Sequence, residues 1–441
     1  MRLHFKTFGC KANQYDTERM RQAIEVVAGT AGAAALEDAD VCVVNTCTVT
    51  NAADAGARRF IRRAARVNPG VRIVVAGCSA VLRAGDYRRM AGVDGVVEGH
   101  DPGAVRNAVL GAGGLVQLGA RGSLDRGHLE PVGATVLRRR AGATRGWLKV
   151  QDGCDRKCAF CATRLARGRS RSRHPDEVVA EARVLARTHP ELVITGVHIG
   201  HYGRDLTPRT TLTALVRRLL REVAGASGTA APRFRLGSIE ATEIDDGMLG
   251  LLADSDGRLA SHLHMPLQSG ADPVLRNMRR WHTREQYRRR ALEIAARVSP
   301  LGLGADIITG FPGESPADHA NTVSLVRELP FTYLHVFPYS PRDGTAAMHL
   351  DGRVPERVSR ERGRELRELA DRKAVRYACD RGGQAVDVVM EGRGGTALTG
   401  DYLRVAVDAA LPPDPSILHS GRLSGEGTRV VLDTPGPERV N

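Results

Sequence analysis

Lysine is nearly missing from this chain: of 64 basic residues in 441, five are lysine and the rest arginine. Aromatic residues make up only 4%, so few side chains are available for stacking on bases. Long apolar runs are absent too. The longest stretch without Asp, Glu, Lys or Arg, Asn107 to Ala120, is glycine-rich and shorter than the ~18–20 apolar residues of a membrane span. The first residues, MRLHFKTFG, hold no signal-peptide apolar block, so a cytoplasmic protein without a membrane partner is expected. Eight cysteines in a chain of this length are too sparse for a disulfide scaffold. What remains is an ordinary globular composition, 42% hydrophobic and 26% charged, long enough for two or three domains. The net charge of +14 is unevenly spread: residues 138–173 hold twelve Arg or Lys against two Asp. Such a segment suits a phosphate backbone, although a solvated face and a coding bias toward arginine also produce it.

Short β-forming runs at 2–9, 39–46 and 71–77 alternate with helical patterns at 15–27 and 51–66, which predicts a parallel α/β domain. Gly111–Leu137 reads as a linker. A second series has strand patterns near 146–151, 192–197, 233–239, 262–267, 303–308 and 332–337. Helix patterns at 176–188, 211–224, 245–254, 284–298 and 316–329 separate them. Six units imply an open, partial (β/α)6 barrel rather than a closed eight-unit one. The charged helix at 356–379 reads as a spacer, and the last sixty or so residues as a small all-β barrel. The expected divisions are 1–112, 138–372 and 375–441.

In a cytosolic chain of this length, metal or redox chemistry is a better account of the cysteines than disulfides. Cys154, Cys158 and Cys161 follow the first strand of the second series in a Cys-x3-Cys-x2-Cys loop, at the carboxyl edge where barrel enzymes place their chemistry. Three thiolates can hold three corners of a 4Fe-4S cube, whereas a closed site or a structural zinc needs a fourth ligand, and none is near in sequence. Arg156 and Lys157 inside the loop would favour thiolate. Cys10, Cys47 and Cys78 are distant in sequence, yet each directly follows a predicted strand, so a parallel sheet should gather them at one edge. A second three-thiolate cluster is the sharp reading and three buried small hydrophobes the bland one. The latter suits Cys42 and Cys379 better.

The loop, with Phe160 before its third cysteine, resembles the radical S-adenosylmethionine (SAM) superfamily, whose open iron chelates SAM. With FGCKANQYD, VVNTCTVTNAA, VAGC, ARGRSRSR, SIEATEI, HLHMPLQSGADPVLRNMRR, DIITGFPGE and LHVFPYSPRDGT, nearly the whole chain resembles the radical SAM methylthiotransferases. Its carboxyl-terminal barrel is similar to their TRAM domain. TGVHIGHYGRDL and SIEATEI point to the branch acting on threonylcarbamoyladenosine in tRNA. Two other branches modify isopentenyladenosine in tRNA and an aspartate of a ribosomal protein.

The resemblance implies two 4Fe-4S clusters, on Cys154/Cys158/Cys161 and Cys10/Cys47/Cys78, the second supplying sulfur. It implies SAM as radical source and methyl donor, and methylthiolation at C2 of adenosine 37 beside the anticodon. An electron donor such as flavodoxin or ferredoxin and a sulfur source are implied partners. Phe160, Gly196, Glu240, Gln268 and Gly310 become candidates for SAM contact, and His198, Tyr202 and Arg204 for the substrate side. Residues 384–441 carry five Arg against eight acids, odd for an RNA-binding barrel, so phosphate contact is expected at Arg138–Arg140 and in the 164–173 run, chiefly Arg167, Arg169, Arg171 and Arg173. An acidic barrel docking a basic protein is the alternative, and a non-catalytic iron-sulfur RNA-binding or sensor protein is the rival from another class.

Overall fold

The structure is a computed structural model describing residues 1–28, 34–48, 51–111, 136–138, 143–224, 231–391, 395–408 and 413–433. Most of the expected linker, together with Arg139 and Arg140, lies outside these described residues. The amino-terminal sheet has four parallel strands in sequence order: β1 (Leu3–Thr7), β2 (Val41–Thr46), β3 (Arg72–Gly77) and β4 (Val93–Val96). Strand alternation sends Val41 and Val43 to one face, where Met20 and Ile24 of α1 (Lys11–Ala28) and Val105 of α5 (Pro102–Leu110) pack. Cys42 and Val44 go to the other, against Ile61 and Ala64 of α2 (Asn51–Val67) and Tyr87 of α4 (Ala84–Arg88). The short α3 (Cys78–Leu82) follows β3. The fourth strand, Val-Asp-Gly-Val at the sheet edge, is too short and mixed to announce itself by pattern.

The second domain opens with β5 (Arg145–Lys149), a small antiparallel pair of β6 (Gln151–Asp152) and β7 (Arg171–Ser172), and α6 (Thr163–Arg167) between them. Then come α7 (Pro175–Leu185), β8 (Glu191–Thr195), α8 (Leu212–Glu222), β9 (Arg233–Leu236), α9 (Asp246–Asp254) and β10 (His262–His264). The series ends with α10 (Asp272–Asn277), α11 (Arg284–Arg297), β11 (Gly302–Thr309), α12 (Pro316–Glu328), β12 (Tyr333–Pro338) and α13 (Glu356–Asp380). Strands β5-β8-β9 and β10-β11-β12 form two parallel sheets, joined through the bridges Phe234–Leu259 and Ser238–His264. The result is the expected open arc of six.

The helix at 356–380 corrects the spacer expectation. Ser359, Arg362, Gly363, Leu366, Leu369 and Ala370 form a buried stripe at helical spacing. Along it Arg362 meets Glu314 at 2.6 Å and the Ser359 hydroxyl donates to the Thr309 carbonyl. Charge on the remaining faces hid this stripe from the sequence reading. α13 is the sixth helix of the arc.

Strands β13 (Ala385–Glu391), β14 (Thr396–Thr399), β15 (Arg404–Asp408), β16 (His419–Leu423) and β17 (Arg429–Leu432) close into a five-stranded barrel. It docks beneath the arc. Arg233 and Arg235, both buried, donate to the carbonyls of Asp387, Leu398, Thr399 and Gly400. Glu191 holds both guanidiniums, at 2.7 and 2.8 Å. Burial alone would raise its carboxyl, but the arginines hold it far below the ordinary range. Tyr402 stacks on His262, 4.2 Å between centroids. No helix among the described residues is long and apolar enough to cross a membrane.

Candidate active site

Cys154, Cys158 and Cys161 sit on the loop between β6 and α6. Gly153 turns the chain with φ +70°, and a Cβ there would lie 1.9 Å from the Arg169 carbonyl, so only glycine fits. The loop is fastened at both ends. The Cys154 N–H donates to the Gly168 carbonyl at 3.1 Å, and Cys161 N–H to Cys158 O at 3.2 Å. The Gln151 amide donates to Gly153 O, while its carbonyl accepts from the Val197 and His198 N–H groups of the loop after β8. Around the sulfurs, the Arg156 N–H points at Cys154 Sγ (3.4 Å), and Arg280 Nη1 at Cys158 Sγ (3.7 Å). His198 Nδ1 lies 3.6 Å from Cys154 Sγ, with Nε2 on Glu243. The Arg156 guanidinium instead pairs with Glu243 and lies over Trp281, and Lys157 is exposed. The cation nearest a sulfur is therefore Arg280, remote in sequence, rather than the two cations inside the loop.

Cys10, Cys47 and Cys78 close the carboxyl ends of β1, β2 and β3. The sheet brings them together: a Cβ on Gly9 would stand 2.4 Å from Cys47 Sγ, and after burial, which pushes the Cys78 thiol up most, a thiolate at Cys10 or Cys47 would push it up further. Asn13, fully buried, knits the three turns. Its amide donates to Phe8 O and Thr46 O at 2.8 Å each, and its Oδ1 is 3.6 Å from Cys78 Sγ. His100 Nε2 stands 3.5 Å from the same sulfur. Among the described residues neither triad has a fourth cysteine; the two left over, Cys42 and Cys379, lie in the core of the first domain and exposed on α13.

A buried ion network joins the two triads. Arg167, on the helix that leaves the Cys154 loop, reaches Asp152 before that loop and Asp16 of α1, both at 2.8 Å. It also donates to Asn13 Oδ1. Lys149 meets the same two carboxylates at 2.7 and 2.8 Å. Burial would raise both carboxyls, but Lys149 and Arg167 outweigh it and hold them low.

Residues 2–98 match the model of the "Uncharacterized protein family UPF0004", and residues 148–326 that of the "Radical SAM superfamily". The threonylcarbamoyladenosine tRNA methylthiotransferase MtaB of Bacillus subtilis is 36% identical over 88% of this chain and 84% of its own length. Its counterpart in Rickettsia prowazekii is 33% identical over 93% and 92%. The chain belongs to the radical SAM methylthiotransferase family. The tRNA-2-methylthio-N(6)-dimethylallyladenosine synthase of Bacillus subtilis is 30% identical over 89% of this chain and 76% of its own. A solved radical SAM methyltransferase, TsrM from Kitasatospora setae, matches with a TM-score of 0.54 at 16% identity, covering 76% of this chain and 73% of its own. That likeness is one of fold.

Membership in the radical SAM superfamily implies a 4Fe-4S cluster and SAM, and the Cys154 surroundings suit them. Three thiols stand without a fourth, N–H donors face two of the sulfurs, and two nearby polar atoms are buried without a partner among the described residues, Trp281 Nε1 and Tyr339 OH. Burial pushes the Cys154 thiol up to about 12, so iron must displace its proton. Phe160 packs edge-on to Phe311 at 6.5 Å, in an apolar cluster that also holds Ala159 and has Tyr339 against it. Glu240 is paired with Arg280 and so joined to Cys158. Gln268 holds a left-handed backbone, φ 68°, while bridging β11. Gly196 and Gly310 are explained by the chain itself: side chains there would meet Gln151 and Ser359.

Two expected sites need correction. Arg167 and Arg173 are 2% and 1% exposed, turned inward to Asp16, Asp152 and Glu181, and have no free charge for RNA. Arg169, 84% exposed, the half-buried Arg164 and Arg171 and the exposed Arg138 keep outward positions. Tyr202 is likewise buried, its hydroxyl donating to the Arg173 carbonyl, whereas Arg204 is exposed. Asn13, Asp16, Lys149, Asp152 and Arg280 carry much of the site without having been singled out. The one signal for Lys149 and Asp152 was a pair of charges inside an apolar strand pattern, which demands partners.

Proposed function

We propose that this enzyme adds a methylthio group to C2 of N6-threonylcarbamoyladenosine at position 37 of tRNA. In this reading Cys154, Cys158 and Cys161 hold a 4Fe-4S cluster whose open iron takes SAM, and Cys10, Cys47 and Cys78 hold a second cluster that handles sulfur. The units expected from sequence, 1–112, 138–372 and 375–441, carry these roles, with the second boundary moved to between 380 and 385 because α13 runs unbroken through 372–375. The observation that carries the two-cluster reading is the pairing of two separate thiol triads, neither with a fourth cysteine among the described residues, through one buried ion network. The substrate branch rests on the greater identity to the threonylcarbamoyladenosine relatives, 36% and 33% against 30%.

Bound here, cluster and SAM supply the one-electron chemistry that an aromatic C–H bond requires and an acid–base pair cannot provide. The chain's own groups orient and enclose. Gln151 ties the cysteine loop to the loop after β8, Arg280 links Cys158 to Glu240, and Glu243 fixes His198 beside Cys154. Asp16, Lys149, Asp152 and Arg167 keep the two triads at one separation, which matters because misplacement of reacting groups is costly in rate. An electron donor such as flavodoxin or ferredoxin and a source of sulfur complete the partners, and the cytoplasm is the expected compartment.

The test is anaerobic reconstitution, with about eight irons per chain expected from two four-iron clusters. Incubation with SAM and a reductant follows, using tRNA carrying threonylcarbamoyladenosine, tRNA carrying isopentenyladenosine, or ribosomal protein. Mass spectrometry should find the sulfur-plus-methyl increment on the first. An increment confined to either other substrate refutes the branch, and about four irons refutes the second cluster.

A further inference from the structure

With Arg167 and Arg173 turned inward, the expected run offers fewer cations to a phosphate backbone than its sequence suggests, and the amino-terminal domain holds a further, unneutralised basic face. Helix α2 exposes Arg59, Arg62, Arg63 and Arg66, spaced so that all four share one side. Among the described residues no carboxylate pairs with any of them. Other arginines of the same domain are matched: Arg2 with Asp40, Arg58 with Asp54, Arg83 with Asp343, Arg88 with Glu98 and Arg89 with Asp86. The single acid of α2, Asp54, is buried and already taken by Arg58, Ser79 and Tyr87.

Helix α13 shows what an ordinary solvated arginine-rich face looks like in this chain. There Arg357, Arg360, Arg364 and Arg376 each have an acidic neighbour one turn away: Glu361, Glu356, Glu368 and Asp380. Helix α2 has no such interleaving.

Beside the four arginines lies an aromatic and basic strip on the edge strand β1. Phe60 of α2 meets Phe8 edge-on and stacks on His4, centroids 6.1 Å apart in both cases. The exposed Lys6 holds its ammonium 5.7 Å from both phenyl rings. Phe8 leads directly into Gly9 and Cys10, both exposed. The strip therefore ends at the thiol triad, and α2 itself begins four residues after Cys47. Arg59 to Arg66 then lie about 12 to 22 Å along the helix from its start.

We propose that the α2 face, with Lys6 beside it, binds the phosphate backbone of the tRNA strand flanking the target nucleoside and leads that strand to the Cys10 end of the triad. The inference rests on the tRNA reading above. Charge selects the partner: four unpaired guanidiniums suit a polyanion, and an acidic carboxyl-terminal barrel leaves this work to another surface. Contact is with phosphates, so it should be insensitive to sequence.

The experiment compares the reconstituted full-length enzyme with two fourfold variants, Arg59→Ala/Arg62→Ala/Arg63→Ala/Arg66→Ala and, as control, Arg357→Ala/Arg360→Ala/Arg364→Ala/Arg376→Ala. Binding of the substrate tRNA and of an unrelated tRNA is measured across a salt series, and iron content and melting temperature report folding. The α2 variant should bind both RNAs at least about tenfold more weakly at low salt, with a log–log salt slope shallower by about 3. Its iron content should be unchanged, and the α13 variant should retain the wild-type slope. If the wild type binds no tRNA, the tRNA reading itself fails. If the wild type binds and the α2 variant keeps its slope, or both variants lose slope equally, the assignment to α2 is overturned while the tRNA reading stands. Should the α2 variant shed iron, the lysine variant Arg59→Lys/Arg62→Lys/Arg63→Lys/Arg66→Lys decides: restored iron with a wild-type slope supports the phosphate contact, and an altered slope overturns it.

Discussion

The two thiol triads are built by opposite means. Cys154, Cys158 and Cys161 share one eight-residue loop, and their spacing survives as long as that loop keeps its turns at Gly153 and Gly168. Cys10, Cys47 and Cys78 come from three strand ends and meet only because β1, β2 and β3 run parallel and stop together. A local site tolerates strain elsewhere in the protein, whereas a distributed one exists only while its sheet does. The latter therefore needs a fastener, and Asn13 acts as one by bonding to two of the three turns and standing against the third sulfur.

The sharpest way to break this comparison is to remove one cysteine from each triad. Cys158→Ala should abolish SAM cleavage and lose about four irons, with the remainder kept. Cys47→Ala should lose the other four yet still generate 5′-deoxyadenosine while making no methylthiolated nucleoside. Iron analysis and product chromatography read both. Loss of all iron from either variant would mean that the two sites are not independent.

Next in size is the network between them. Arg167→Met leaves Asp16 and Asp152 in a buried setting with Lys149 as their one close cation, Arg171 standing 4.0 Å from Asp152 and the His100 ring 3.5 Å from Asp16, and removing one partner of such a set costs about 3–5 kcal/mol. Urea denaturation at neutral pH should show it, and Asp16→Asn in the same chain should return part of the loss. Additive effects of the two changes would show that Arg167 and Asp16 are not coupled.

Asn13→Ala should cost less, about 1–3 kcal/mol, chiefly for the buried Thr46 carbonyl left without its donor, since the Phe8 carbonyl is only part-buried and regains water. Its damage should fall mainly on the Cys10 side, although Arg167 also loses its acceptor at Asn13 Oδ1. Iron at the Cys10 triad drops, while SAM cleavage, which depends on the local loop, continues. Equal loss at both sites would place Asn13 in the general stability of the chain.

What could be read from the sequence follows the same division. Cys-x3-Cys-x2-Cys is a pattern in one dimension, so its spacing alone proclaims it, and the strand-end positions of Cys10, Cys47 and Cys78 needed only the parallel-sheet rule. The (β/α)6 arc and the small barrel were legible because each strand and helix carries its own period. Misread were the features that depend on partners far along the chain. ARGRSRSR counts as a basic run in sequence, yet Arg167 turns toward Asp16, more than a hundred residues away, and Arg173 toward Glu181 on the next helix. The exposed arginines of α2 are as dense in sequence as that run, but only the fold reveals which carboxylates fail to reach them.

The smallest effect concerns acid, and it asks which triad's surroundings weaken first. His282 is buried, next in the chain to Arg280 and Trp281, with its ring 5.6 Å from that of Tyr287. Burial and then the Arg280 charge push it down to about 4. In the unfolded chain it takes a proton near pH 6.5. Between those two values the unfolded state binds a proton that the folded state refuses, so stability falls as pH drops from 6.5 toward 4 and is unaffected above. At pH 5 the loss amounts to about 2 kcal/mol, from 1.5 pH units at 1.36 kcal/mol each. His100, beside Cys78, is pushed to about 3 by burial and Arg167 and contributes its own share in the same window. His282→Gln, which keeps a donor without the titration, should therefore flatten but not erase the acid arm of a melting-temperature profile between pH 6.5 and 4, leaving pH 7.5 unchanged. A profile identical to wild type would mean that His282 is protonated or solvated in the folded enzyme, and that the acid arm belongs to other groups.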